Sequence, residues 1–365
     1  MRIPLICVSI SSNSNHTSTY LQGLEILKFY IKSILYITLC CTFAQLSHAQ
    51  DQLNVYSARQ EAYIRPLLDQ FAQRNDVEVN LVTSKADALI QRLSNEGKNS
   101  PADVFITVDA GRLHRAKSAD LLQPISDPAI LQLAPAQYRD ADGFWMGLSL
   151  RARVIIYNHQ QVSASELSTY EDLATPKWKN KICVRSSNNI YNQSLVASLI
   201  ANDGVEATQK WTNAFVSNFA RKPQGGDRDQ IKAVASGQCS VALVNSYYLG
   251  KMLNDNESER TIANKVSLFW PNQNGRGTHV NISGIGILKH AKHLELANKL
   301  IAFLFTKESQ TWYSDVNLEY PVIDGIPSNP TLESWGPFKA DTLNLSKLGE
   351  LNANAVQVMD KAKWR

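Results

Sequence analysis

Charge of one sign is missing from this chain. Its 365 residues carry 37 Lys and Arg against 33 Asp and Glu, a balance that points to neither a nucleic-acid surface nor an acidic tail. Cysteine is scarce, five in all, which excludes a disulfide-dense miniature scaffold. At this length the chain buries its core through packing, in more than one lobe. No tandem repeat or low-complexity segment occurs. Gly-x-Ser-x-Gly, His-Glu-x-x-His and Gly-x-Gly-x-x-Gly are all absent, which removes the usual signatures of α/β hydrolases, zinc peptidases and dinucleotide enzymes.

Long apolar runs are also lacking, with one short exception near the start. Ser33 to Leu46 is mostly apolar but shorter than the ~20 residues that span a bilayer. Lys28 and Lys32 precede it, and Ser47-His48-Ala49 follows with the small-x-small form of a signal-peptidase site. Residues 1–49 therefore read as a cleaved export signal, with a mature chain beginning near Gln50; a signal anchor is the alternative. Cys40 and Cys41 lack the small preceding residue that a lipoprotein site needs, since Leu39 stands before them. Cleavage removes Cys7, Cys40 and Cys41 and leaves Cys183 and Cys239. Two cysteines in an exported chain, each opening an apolar run, suggest one disulfide, with two buried free thiols as the alternative. They lie eight residues before Tyr191 and Tyr247 respectively, so the registers match if the two strands are neighbours.

After the signal, strand and helix patterns alternate. Leu53–Ala58 reads as a strand, and Ile64, Leu67, Leu68 and Phe71 recur at helical spacing. Val77–Val82 alternates with period two, Leu89, Ile90 and Leu93 mark a helix, and 103–108 is a third strand. Units of this kind imply a largely parallel sheet with helices on its faces. Met146–Asn158 is a longer extended run, a chain crossing between lobes. A new α/β pattern then starts at Lys181–Arg185. Ser186 to Asn189 supply capping side chains that put Tyr191 in a first helical turn. Gly275–Leu288 is a second crossing, Ala291–Thr306 a long amphipathic helix, and Lys361–Arg365 a short solvated basic tail.

The remaining feature is Asn245-Ser246-Tyr247-Tyr248-Leu249-Gly250, two adjacent tyrosines where an apolar strand gives way to a helix. Phenol oxygens are hard ligands that serve only when their protons, with a solution pKa of about 10, are displaced. Trivalent iron has the charge and hardness to displace them, and three phenolates balance it; zinc or copper would call for histidine or thiolate. Tyr191 and Tyr247-Tyr248 both sit at strand-to-helix turns, where open α/β sheets gather ligands and a helix dipole favours negative charge. That dipole is expected to lower the phenol pKa. Packing of any one tyrosine at a strand end, hydroxyl in water, is the plain alternative.

Arg185 to Ser194, Pro223-Gln224-Gly225-Gly226-Asp227-Arg228-Asp229-Gln230, the tyrosine-pair segment and Gly277-Thr278-His279-Val280-Asn281-Ile282-Ser283-Gly284 closely resemble the periplasmic ferric-iron-binding proteins of ABC-type uptake. The likeness spans essentially all of the mature chain. It implies an α/β, two-lobed periplasmic binding protein of type II, each lobe a mixed sheet flanked by helices and joined by two crossing strands. On that scheme residues 50–150 with about 277–325 form the first lobe, and about 151–276 with 326–365 the second. It implies a periplasmic monomer, not an enzyme, that holds Fe(III) through Tyr191, Tyr247 and Tyr248 and passes it to an ABC-type iron permease in the inner membrane.

Many members of that family place a histidine just after the first strand, where this chain has Tyr56-Ser57-Ala58-Arg59-Gln60-Glu61. The sequence looks more like the branch completed by a small anion such as carbonate. Arg59 and Gln60 would hold the anion and Arg153 would help; Fe(III) with three phenolates and a dianion totals −2, which Arg59 and Arg153 would neutralise. Glu61 and Tyr63 rank below the anion as ligands. His279 is expected to make a hydrogen bond at the hinge. Two other readings are a receptor for a polyamine, thiamine or oxyanion on the same fold, which leaves Tyr191 without a role, and a tyrosinate-iron hydrolase, which lacks ligands for a second metal.

Overall fold

The strand patterns resolve into ten strands in the computed structural model, which describes residues 51–365; the export signal and its cysteines lie outside the described residues. The strands are β1 (Gln52–Ser57), β2 (Glu78–Thr83), β3 (Val104–Val108), β4 (Leu122–Gln123), β5 (Met146–Asn158), β6 (Ile182–Cys183), β7 (Val241–Asn245), β8 (Val266–Phe269), β9 (Val280–Leu288) and β10 (Tyr320–Pro321). Helices α1 (Arg65–Asn75) and α2 (Ala86–Glu96) connect β1, β2 and β3, which pair in parallel. The apolar positions at helical spacing face inward: α1 buries Leu67, Leu68 and Phe71, and α2 buries Leu89, Ile90 and Leu93. Each such side chain contributes about 1.5–3 kcal/mol.

The long run at 146–158 crosses between two sheet halves, as its length suggested. Its first half pairs antiparallel with β9, through Ala152↔Val280. Its second half pairs antiparallel with β7, from Arg153↔Asn245 onward, and with β8. The change of partner falls between Ala152 and Arg153. β3 also meets β9 antiparallel, so the sheet is mixed rather than largely parallel; long extended runs reverse direction where they join halves built from parallel units. β9 begins at Val280, later than expected, because the chain turns at Gly277. The φ there is 98°, and an added Cβ would lie 2.7 Å from the Ala340 backbone.

The remaining helices that position the site are α3 (Ala110–Ser118), α4 (Ile190–Ser217), α5 (Asp227–Ala235), α6 (Ser246–Leu253), α7 (Leu294–Leu304), α8 (Lys307–Asp315), α9 (Ser346–Glu350) and α10 (Asn352–Lys361). The helix expected over 291–306 is α7, followed by a separate α8 whose N-cap is Thr306. α10 packs on α4, while α9 reaches α3. The basic residues of the chain end, Lys361, Lys363 and Arg365, are exposed as expected, but the end is anchored: Trp364 is fully buried, its ring 5.2 Å from Phe215 and its indole N–H donating to Arg185 O at 2.8 Å. Among the described residues no helix is long and apolar enough to cross a membrane.

Cys183 and Cys239 form a disulfide with Cα atoms 5.7 Å apart. β6 and β7 are parallel neighbours, but Cys183 stands opposite Ala242, so the bridge reaches back to Cys239, two residues before β7, rather than joining matched positions. Its sequence separation of 56 closes a loop whose entropy corresponds to about 4 kcal/mol. The Cys183→Ser, Cys239→Ser double variant is expected to lose stability of that order in equilibrium denaturant unfolding.

Candidate functional site

Each tyrosine of interest is carried by a helix start. Asn189 is the N-cap of α4 and its side chain accepts from the Tyr191 N–H at 3.2 Å, which holds Tyr191 in the first turn. β7 runs directly into α6, with Asn245 as the N-cap, so Tyr247 and Tyr248 also lie in a first turn. Their rings are 4.3 Å apart between centroids. All three line one cavity of about 410 Å³, together with Arg59, Gln60 and Tyr63 after β1, Arg151 from β5, Arg228, Lys251 and Glu319. The three phenols, which lie 56 residues or more apart in part, are brought together as the sequence suggested.

The phenol ionisation runs against expectation. Burial, then the neighbouring Tyr191 and Tyr248, push the Tyr247 phenol well above its ordinary range. Burial, Tyr191 and Asp227 do the same to Tyr248. Desolvation and mutual repulsion of three would-be anions outweigh any helix-dipole effect. Cations partly offset this. The Arg151 guanidinium carbon lies 5.3 Å from the Tyr191 ring and that of Arg185 5.6 Å; Lys251 Nζ lies 5.3 Å from the Tyr247 ring and 3.5 Å from that of Tyr63. Burial lowers the Lys251 pKa to about 8, against the attraction of Glu319. Burial also works against the Arg151 charge, yet Tyr191, Tyr247 and Glu319 hold its pKa above the usual value.

The expected anion residues divide. Gln60 and Arg59 line the cavity, but both terminal nitrogens of Arg59 are held by Glu319, at 3.1 and 3.2 Å. Arg153 is not a cavity residue. It is buried beyond the partner switch of β5, where its Nη1 donates to Asp227 at 2.6 Å and Asn245 at 3.1 Å, and its Nη2 to Asn192 at 2.6 Å. Asp227 is shared with Arg185 at 2.5 Å. The charge assigned to Arg153 is therefore already matched, and Arg151, two residues earlier, is the arginine that faces the tyrosines. Glu61 pairs with Arg65 at 2.9 Å and does not line the cavity.

His279 hydrogen-bonds at the hinge through its backbone, donating to the Tyr170 hydroxyl at 3.1 Å and accepting from Arg153 N at 2.9 Å. Burial, then Arg153 and other arginines, lower its ring pKa to about 3, so it is neutral. Among the described residues no group of three or more His, Cys, Asp or Glu side chains is arranged to hold a metal ion. Four phenols line the cavity, Tyr63 beside Tyr191, Tyr247 and Tyr248. Four charged cavity residues escaped the sequence reading: Arg151, Arg228, Lys251 and Glu319. Lys251 carried a usable signal, since it lies four residues after Tyr247 on one helix and so shares its face. Glu319 carried none.

With this geometry in hand, the relatives can be set beside it. Residues 99–343 match the family model for bacterial extracellular solute-binding proteins. Iron uptake protein A1 of Synechocystis is 47% identical over 317 residues, 87% of this chain and 88% of that protein. The major ferric iron-binding protein of Neisseria meningitidis serogroup B is 26% identical over 336 residues, 90% of this chain and 98% of that protein. Among solved structures, Trichodesmium FutA (IdiA), in complex with iron and citrate, is similar at 50% identity with a TM-score of 0.84, covering 86% of this chain and all (100%) of that one. Apo FutA2 from Synechocystis follows at 41% identity and a TM-score of 0.83, covering 87% and 100%. The fold is the two-lobed solute-binding architecture that the motifs implied, with mixed sheets flanked by helices.

Glu319 also yields a prediction on acid stability. Burial alone would raise its pKa, but Arg59 and Arg151 bring it down to about 2 from an ordinary 4.5. A depressed carboxyl pKa stabilises the fold above the unfolded value and loses that contribution as pH falls from about 4.5 to about 2. Urea unfolding of Glu319→Gln is therefore expected to show a shallower loss of stability across that window than the parent chain.

Proposed function

The chain belongs to the bacterial extracellular solute-binding proteins, and on that premise we propose that it captures Fe(III) in the cleft between its lobes and delivers it to an ABC-type permease. The observation that carries the reading is the meeting of Tyr191, Tyr247 and Tyr248 in one cavity that also holds Arg151 and Lys251. Neutral phenols cluster there at a cost in solvation, and a hard trivalent cation is the ligand that repays their proton loss. An organic cation such as a polyamine is disfavoured, because cationic Arg59, Arg151, Arg228 and Lys251 line the same space. The relatives are named as uptake and binding proteins, in keeping with capture rather than turnover.

Iron is the cargo. Tyr191, Tyr247 and Tyr248 supply three oxygens whose negative charge equals that of the ion, so the complex is neutral before any anion joins. A small anion such as carbonate completes the site, held by Gln60, the free Nε–H of Arg59 and the cations Arg151 and Lys251. Arg153 acts behind the site, with Asp227 and Arg185, by fixing the ends of α4 and α5 that flank the tyrosines. The lobes, 50–150 with about 277–325 and about 151–276 with 326–365, close about the partner switch in β5 and the start of β9. Export through a signal cleaved near Ala49 brings the mature chain to the periplasm, where it works as a monomer beside the inner-membrane permease.

Purified protein mixed with Fe(III) and bicarbonate is expected to develop a red-to-orange tyrosinate-to-iron charge-transfer band; a colourless mixture contradicts the proposal. Tyr247→Phe and Tyr248→Phe should each weaken iron binding by at least about 100-fold, beyond the effect of losing an outer-shell partner. A site that stacks on an organic cation would tolerate loss of the hydroxyl.

A further inference from the structure

We infer that Glu319 sets the charge of the anion accepted with Fe(III): by neutralising Arg59 it makes the cleft select a small dianion over a more highly charged carboxylate. The inference rests on the iron reading of the same cavity.

Glu319 is held firmly. Leu318 before it adopts a left-handed conformation, φ 55°, the Glu319 N–H donates to Tyr313 O at 3.0 Å, and the next two residues pair with β5 at Leu150 and Ser149. Its carboxylate is almost wholly buried. Oε1 accepts from Arg59 Nη2 at 3.2 Å; Oε2 accepts from Arg59 Nη1 at 3.1 Å, from Ser283 Oγ at 3.0 Å and from Ser149 Oγ. Four donors, three on Oε2 and one on Oε1, hold the carboxylate in place as a fixed counter-charge to Arg59. On Arg59, only Nε is buried without a partner.

The remaining charges follow from the ion pairs. Of the four cations that line the cavity, Arg59 is matched by Glu319, and Arg228 by Asp255 at 3.0 Å and Glu259 at 3.6 Å. Arg151 and Lys251 have no ion-pair partner among the described residues. Arg185, 5.6 Å from the Tyr191 ring, shares the single carboxylate of Asp227 with Arg153, so the surroundings of a neutral iron-phenolate set are net positive. Removing the Glu319 charge adds one further unmatched cation, which raises the affinity for a trianion such as citrate more than that for a dianion. At an effective dielectric constant of about 20, one unit of charge within about 10 Å of the anion changes relative affinity by about tenfold or more per unit of anion charge.

The test is a competition on the mature chain, with the charge-transfer band as readout. Fe(III) is offered with bicarbonate or with citrate, and the ratio of apparent affinities is compared between variants. Glu319→Gln is expected to move the ratio toward citrate by about tenfold or more. Glu319→Asp keeps the charge beside Arg59 and is expected to keep the parent ratio; it also avoids leaving one buried charge unpaired, so it reports even if Glu319→Gln does not fold. An unchanged ratio in folded Glu319→Gln overturns the inference, and so does a Glu319→Asp variant that moves toward citrate by about tenfold or more. Absence of the band in the parent chain with both anions removes the iron reading itself, and this inference with it.

Discussion

Adjacent phenols that share one cavity resist ionisation together unless a concentrated positive charge arrives among them. Burial and the neighbouring phenols raise the Tyr247 and Tyr248 pKa values. The helix starts that hold Tyr191, Tyr247 and Tyr248 place these groups together but do not ionise them. On the function proposed above, the arrangement is inert toward weak or soft cations and responds to a hard trivalent one, whose charge is balanced by three phenolates. Selectivity arises from making ligation difficult for anything less positive.

The charges around the phenols are divided by the crossing strand. β5 changes partner between Ala152 and Arg153, and the two arginines on either side of that change have opposite surroundings. Arg151 faces the tyrosines, with one terminal nitrogen donating to Ile282 O at 2.7 Å and no carboxylate. Arg153 is locked to Asp227, which also binds Arg185. Breaking such a buried pair on one side costs about 3–5 kcal/mol, so Asp227 fixes the geometry behind α4 and α5. Glu319 plays the matching part for Arg59 on the other side of the cavity. Structural pairs surround the cleft, and on the function proposed above the cations without a partner among the described residues serve an anion.

Much of this was legible in the residues. The crossing run Met146–Asn158 has the same bounds as β5, and the capping residues before Tyr191 place it in a first turn as read, because both signals are local: a long extended run with a β-branched stretch at Val154, Ile155 and Ile156, and a side-chain cap. The mixed sheet was not apparent from strand-helix alternation, since antiparallel pairing arises only when distant crossings meet. The choice between Arg151 and Arg153 was hidden for the same reason: alternate residues of one strand look alike until their partners are known. Trp364 looked like part of a basic tail because burial against Phe215 depends on α10 docking. Glu319 lies 260 residues from Arg59, a pairing that no spacing rule could supply.

The central claim is that three phenolates of one cavity hold the iron. Anomalous diffraction at the iron absorption edge, from crystals of the iron-loaded protein, tests it most directly. The account predicts one iron peak bonded to the phenol oxygens of Tyr191, Tyr247 and Tyr248. A peak elsewhere, or one bonded to fewer than three of these oxygens, would contradict it.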